Sequence, residues 1–213
     1  MILTNLSILT GLPREAGKNL SRVGVLAVQG SVREHIDCLS RIEGVTPLAV
    51  KTAEDILSLD ALILPGGEST AIGKIIKEFS LIDAICELHK RKKPIWGTCA
   101  GMILLAKELA DEEVFYLGLM NIKVRRNAYG SQLDSFTVRM PVSEVSKGLH
   151  TLTFIRAPII EETGIGVKVL ATVNEKVVAA RQDNLLVTSF HPELTDELSF
   201  YRYFIDMIKD SRK

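Results

Sequence analysis

What most constrains this chain is the order in which its apolar residues arrive. From Val23 to Trp96, apolar runs of strand length alternate with longer stretches whose apolar residues recur at helical spacing. Strands are expected at Val23–Val28, Thr46–Val50, Ala61–Leu64 and Pro94–Trp96, and helices at Ser31–Ile42, Ala53–Leu57, Ser69–Lys77 and Leu81–Lys90. Strand followed by helix, repeated, is the pattern of an α/β domain with a mainly parallel sheet and helices on both faces. In such sheets ligands bind beyond the carboxyl ends of the strands. After about Gly118 the pattern turns to strands at Asn121–Val124, Ser135–Pro141, Thr151–Arg156, Val167–Val173, Val177–Arg181 and Leu185–Ser189. These are expected to form antiparallel hairpins that extend the main sheet, before a last helix from about Asp196 to Ile208 packs back.

Three post-strand loops carry reactive residues. In P-I-W-G-T-C-A-G-M-I-L-L, from Pro94 to Leu105, Gly97 and Gly101 stand two residues either side of Cys99. That spacing suits a sharp strand-to-helix turn with a nucleophile at its apex, and the following helix aims its positive end at the sulfur. In Leu64-Pro65-Gly66-Gly67-Glu68-Ser69-Thr70, two glycines give the backbone freedom to point N–H groups at a developing oxyanion, with the Ala100 N–H as second donor. In Ser189-Phe190-His191-Pro192-Glu193, an extended backbone would send His191 and Glu193 to the same side. A carboxylate there orients the ring and stabilises its imidazolium, which supplies a base for Cys99.

The remaining histidines suit plainer roles: His35 in the first helix, His89 at the end of a charged helix, His150 in a loop. None has zinc-site spacing, so no metal and no cofactor is expected. Cys38 and Cys86 fall at core-facing helix positions. Three scattered cysteines build neither a disulfide framework nor a zinc cluster, which makes a reducing cytoplasm the expected setting. The 26 Lys and Arg balance the 26 Asp and Glu, and the basic run His89–Lys93 reads as a solvated helix end, so no nucleic-acid partner is expected. With 213 residues, 46% of them apolar, one domain over residues 23–213 suffices. Residues 1–22 read as a loose extension, too polar for a membrane span and without the basic start of a signal peptide. The acceptor-like triplets at Asn5 and Asn19 are then chance matches.

The runs P-G-G-E-S-T, G-T-C-A-G-M and S-F-H-P-E-L, in that order, resemble the class I (triad) glutamine amidotransferase family. Supporting text includes V-Q-G-S-V-R-E-H at Val28–His35, R-N-A-Y-G at Arg126–Gly130 and F-I-R-A-P at Phe154–Pro158, and the likeness runs from about Val23 to the C-terminus. The resemblance implies a flavodoxin-like fold, Cys99 as nucleophile with His191 and Glu193 completing the triad, and an oxyanion hole at Gly66, Gly67 and Ala100. It also implies glutamine held by Gly67, Glu68, Ser69, Arg126, Ile155 and Arg156, a glutamyl thioester on Cys99, and a (β/α)₈-barrel synthase partner that receives the ammonia in a hetero-oligomer. Arg125 stands where an acidic residue is expected before Arg126, which leaves open which arginine meets substrate. The glutaminase of another pathway, such as the histidine-biosynthetic one, is disfavoured by the R-N-A-Y-G and V-Q-G-S-V-R-E-H text. A non-catalytic regulatory subunit is disfavoured by the intact triad. A cysteine peptidase or esterase is disfavoured by Glu68, Arg126 and Arg156, which suit a small zwitterion.

Overall fold

The computed structural model describes residues 20–110, 112–128 and 135–210. The amino-terminal half follows the expected alternation: β1 (Ser21–Leu26), α1 (Val32–Ser40), β2 (Val45–Val50), α2 (Ala53–Leu57), β3 (Ala61–Leu64), α3 (Ser69–Glu78), α4 (Leu81–Lys90) and β4 (Ile95–Thr98). The sheet begins two residues before Val23, so Ser21 and Arg22 of the expected loose extension are strand, Leu20 before them is exposed, and residues 1–19 lie outside the described residues.

Beyond Cys99 come a short α5 (Ala100–Leu105), β5 (Ala106–Leu109), β6 (Met120–Arg125), β7 (Ser135–Val142), β8 (Ser146–Ile155) and β9 (Ile159–Thr163). The chain ends with β10 (Lys168–Val173), β11 (Lys176–Gln182), β12 (Leu185–Thr188) and α6 (Ser199–Asp210). The main sheet runs β2-β1-β3-β4-β12-β11-β9-β6-β5, with β10 alongside β11. From β2 through β12 the neighbours are parallel, and β11 and β9 continue the sheet antiparallel. Pro47 is tolerated because β2 is the edge strand, where a missing N–H leaves no central ladder bond unmade.

Alternating side chains divide the core in two. Leu62 and Leu64 of β3, Ile95 of β4, and Leu185 and Val187 of β12 face the cluster formed with α2, α3, α4 and α5. Ala61, Ile63, Trp96 and Leu186 face the other cluster, built with α1 and α6. Both faces of each central strand are therefore buried, as continuous apolar runs in a parallel sheet require. Close packing of α5 on this sheet depends on Gly101: a Cβ built there would stand 2.0 Å from the Leu64 carbonyl oxygen. Gly101→Ala is expected to push α5 off β3 and lose about 1–3 kcal/mol, read as a lower thermal midpoint. An unchanged midpoint would refute this packing.

One expectation fails in an instructive way. β7 and β8 pair with each other and form a separate two-stranded ribbon, not an extension of the main sheet. Their inward residues Val142, Leu152 and Phe154 need an apolar surface, and they find it against Phe190 and Phe200 on the α1 and α6 side. The other expected strands, β6, β10, β11 and β12, do extend the main sheet, together with β9 and β5, which the apolar pattern did not single out. His150, expected in a loop, lies in β8 and is buried, its Nδ1 3.6 Å from Glu197.

Candidate active site

β4 delivers Cys99 to the carboxyl edge of the sheet. There the backbone takes φ 48°, ψ −103°, and α5 begins at the next residue. The Cys99 N–H donates to the Thr188 carbonyl at 2.8 Å, tying this strained turn to the end of β12. β12 leads directly to His191, whose N–H donates to the Thr153 carbonyl of β8 at 2.8 Å. The backbone is not extended beyond it. Pro192–Leu194 form a single 3₁₀ turn that folds Glu193 back beneath the ring, with His191 Nδ1 2.7 Å from Glu193 Oε1. The expected pairing is present, produced by a tight turn instead of strand alternation.

The charges reinforce one another. Burial by itself lowers the pKa of His191, but hydrogen bonds to Cys99 and Glu193 outweigh it and hold the ring up at about 10. Burial also opposes the charge on Glu193, yet His35, His191 and Ser31 hold its carboxyl down at about 2. Across neutral pH the pair is therefore imidazolium and carboxylate. Ser31 Oγ adds a hydrogen bond to Glu193 Oε1 at 2.7 Å.

Above the pair opens a cavity of about 320 Å³. Its lining includes Cys99, Ala100 and His191, together with Gly67, Glu68, Ser69, Arg126, Ile155 and Arg156. Gly66 lies just beneath: a Cβ there would stand 2.6 Å from His191 Cε1 and 3.5 Å from the Cys99 Cβ. Glu68 caps α3 by accepting from the Ala71 N–H at 2.7 Å, and its other oxygen meets Arg126 Nη2 at 3.1 Å. Burial opposes its charge, but the Ala71 and Thr70 N–H groups and Arg126 hold its carboxyl below the ordinary range. Arg125 is directed away and pairs with Glu161, so of the two arginines it is Arg126 that faces the cavity.

Sequence reasoning passed over several residues here. Gln29 and Asn127 line the cavity, and Gln29 Oε1 accepts from the Glu68 N–H at 2.9 Å. Glu112 pairs with Arg126 at 3.3 Å. His35, assigned a plain role, is fully buried beside Glu193. The usable signal was position: Gln29 and Ser31 follow β1, at the same carboxyl edge as Cys99 and His191. Cys99, Asn127 and Arg156, three cavity residues, all have positive φ, at 48°, 46° and 42°. Backbone strain of this kind gathers at functional sites.

Residues 25–210 match the model of the SNO glutamine amidotransferase family. The chain belongs to that family. It is 61% identical over 184 residues, 86% of this chain and 97% of the relative, to the pyridoxal 5'-phosphate synthase subunit PdxT of a Thermoanaerobacter species. The subunit of the same name in Ruminiclostridium cellulolyticum is 49% identical, covering 89% of this chain and all of that one, 100%. Among solved structures, one described as a glutamine amidotransferase superposes with a TM-score of 0.81 at 41% identity, covering 88% of this chain and 98% of that chain. PurLQS from Thermotoga maritima, at 19% identity and a TM-score of 0.61 over 91% of this chain and 100% of that one, shares the fold. The architecture of this family is thus the one observed: a mostly parallel sheet flanked by helices.

Proposed function

We propose that this chain hydrolyses L-glutamine to L-glutamate and ammonia at Cys99 and supplies the ammonia to a synthase subunit that makes pyridoxal 5'-phosphate. Family membership and relatives named as pyridoxal 5'-phosphate synthase subunits support the activity and disfavour the glutaminase of another pathway. The observation that carries the residue assignment is the line from Cys99 through His191 to Glu193, set in a cavity flanked by Glu68 and two arginines. A carboxylate and two guanidinium groups on the cavity wall suit the ammonium and carboxylate of a free amino acid.

The chemistry follows from the resting charges. The Cys99 sulfur attacks the carboxamide carbon, and the oxyanion is received by the N–H groups of the Gly66-Gly67 loop and Ala100. As the C–N bond breaks, the His191 imidazolium gives its proton to the leaving nitrogen, which departs as ammonia and leaves a glutamyl thioester. The now neutral ring takes a proton from water, whose oxygen attacks the thioester. Glutamate leaves, and the free Cys99 sulfur and the imidazolium are restored. Glu193 stays ionised throughout, stabilising the imidazolium each time it forms.

Ammonia released into water is protonated and loses its lone pair, so delivery calls for a docked partner. The partner we assign is a (β/α)₈-barrel pyridoxal phosphate synthase subunit in a hetero-oligomer, and the setting the cytoplasm. No helix among the described residues is long and apolar enough to cross a membrane. Copurification with the synthase, followed by glutamine-dependent formation of pyridoxal 5'-phosphate, tests the whole reading. Product formed from ammonium salts but not from glutamine would reject it.

The partner is also expected to switch the glutaminase on. The Gly66 carbonyl accepts a hydrogen bond from the Ser31 N–H at 3.1 Å. One such bond is worth about 0.5–1.5 kcal/mol, so a docking contact can exchange it and rotate the Gly66–Gly67 peptide. An added oxyanion donor is worth about 10²–10³ in kcat. Saturating synthase, held without its sugar-phosphate substrates, should raise kcat on that scale. Values equal within about twofold would mean the loop is already set.

A further inference from the structure

The Glu193 carboxylate faces polar groups on two sides, and only one of them belongs to the triad. Oε1 receives His191 Nδ1 and Ser31 Oγ, each at 2.7 Å. Oε2 is enclosed and has no hydrogen-bond partner among the described residues. The polar group facing it is His35 Nε2, 3.5 Å away, on a ring wholly shielded from solvent. The same nitrogen lies 3.1 Å from Thr98 Oγ1, and on the far side of the ring Nδ1 lies 2.7 Å from the Tyr201 hydroxyl.

These contacts fix the proton. Burial lowers the pKa of His35 more than Glu193 raises it, so the ring is neutral and carries one N–H. Burial likewise keeps the Tyr201 phenol protonated, so its O–H is able to donate to Nδ1. The N–H is then at Nε2, aimed at Thr98 and Glu193 Oε2. The other tautomer would set a nitrogen lone pair against a carboxylate oxygen in a dry site, two acceptors with no proton between them.

Resting on the triad reading above, we infer that His35 is a positioning residue for the reaction: its Nε2–H fixes the Glu193 carboxylate from the side opposite His191. A carboxylate held at one oxygen alone can rotate about its last bond, and Oε1 would leave the plane of the His191 ring. Held at both, it keeps Nδ1–H in line, so His191 Nε2 stays turned to Cys99 through both proton transfers. His35 touches neither the thiol nor the cavity, since it acts through Glu193.

The test compares three substitutions in glutamine hydrolysis by the full chain with saturating synthase subunit. His35→Leu fills the space without a donor. His35→Gln places an amide N–H where Nε2 was, toward Glu193. His35→Asn places it where Nδ1 was, toward Tyr201. His35→Leu is expected to lose about 10–10²-fold in kcat with KM within about twofold, because substrate groups are untouched. His35→Gln should recover to within about threefold of the unaltered chain, and His35→Asn should not. The downfield proton resonance of His191 Nδ1–H should shift in the Leu and Asn variants and return in Gln. If His35→Leu does not fold, the Gln and Asn pair decides alone. Full kcat in a folded Leu variant, or Asn matching Gln, overturns the inference. Cys99→Ala run alongside separates the failures: if it keeps activity, the triad reading itself is wrong, whereas an inactive Cys99→Ala beside a fully active His35→Leu removes only the role of His35.

Discussion

Cys99→Ala is expected to abolish glutamine hydrolysis while leaving the fold and glutamine binding in place. The thiol is the only part of the residue the chemistry uses. Its backbone bonds, the N–H to Thr188 and the carbonyl accepting from the Met102 N–H, survive in alanine. Alanine pays the same conformational cost as cysteine at φ 48°, and the lost sulfur borders an open cavity, so no sealed void forms. Members of a coupled triad are not additive, and removing the nucleophile should cost nearly as much as removing all three. Calorimetric titration with glutamine should show binding within about threefold, since Glu68, Arg126 and Arg156 remain. Turnover within about tenfold of the unaltered chain would end the assignment of Cys99.

Glu193→Gln should keep the structure and lose on the order of 10²–10⁴ in kcat. The amide has the shape of the carboxylate and can still accept from Ser31, but it carries no charge to stabilise the His191 imidazolium. The direction of the pH effect follows. Glu193 is one of the groups that hold His191 up at about 10, so without it the ring gives up its proton at lower pH. The acid form that protonates the leaving nitrogen is then lost sooner as pH rises, and the alkaline limb of the kcat profile moves down. Single-turnover measurements should show thioester formation and breakdown both slowed. Both steps at full rate would reduce the triad to a dyad.

The parts of this molecule legible from sequence are those where local chemistry and global fold agree. Strands β1, β3 and β4 announce themselves because each is a largely buried apolar run bounded by a helix, and the Cys99 turn because a nucleophile between two glycines has few other uses. The ribbon β7–β8 was misplaced because alternating residues say that one face is buried but not against what. β5 and β9 are only 4 and 5 residues long, too short for a period to emerge. His35 escaped notice for a different reason. A histidine among charged helix residues looks solvated, and only tertiary packing by Tyr201 and Thr98 turns it inward. The arginine ambiguity likewise yields only to geometry, since Arg125 ends β6 paired with Glu161 whereas Arg126, in the turn that follows, lines the cavity.

The ribbon β7–β8 stands apart from the main sheet, yet it grips the His191 backbone through Thr153 and ends in Ile155, with Arg156 next, both on the cavity wall. Base and wall are thus mounted on one lever. Any swing of the ribbon that widens the mouth for glutamate to leave also draws the imidazole off the sulfur, so an open molecule is an idle one. Amide exchange at His191 reports this directly: it should slow, together with that of the β8 amides, when a covalent glutamine analogue occupies Cys99. Independent exchange at the two places would uncouple them. On the proposed mechanism, the base is then in place only while the wall stands closed.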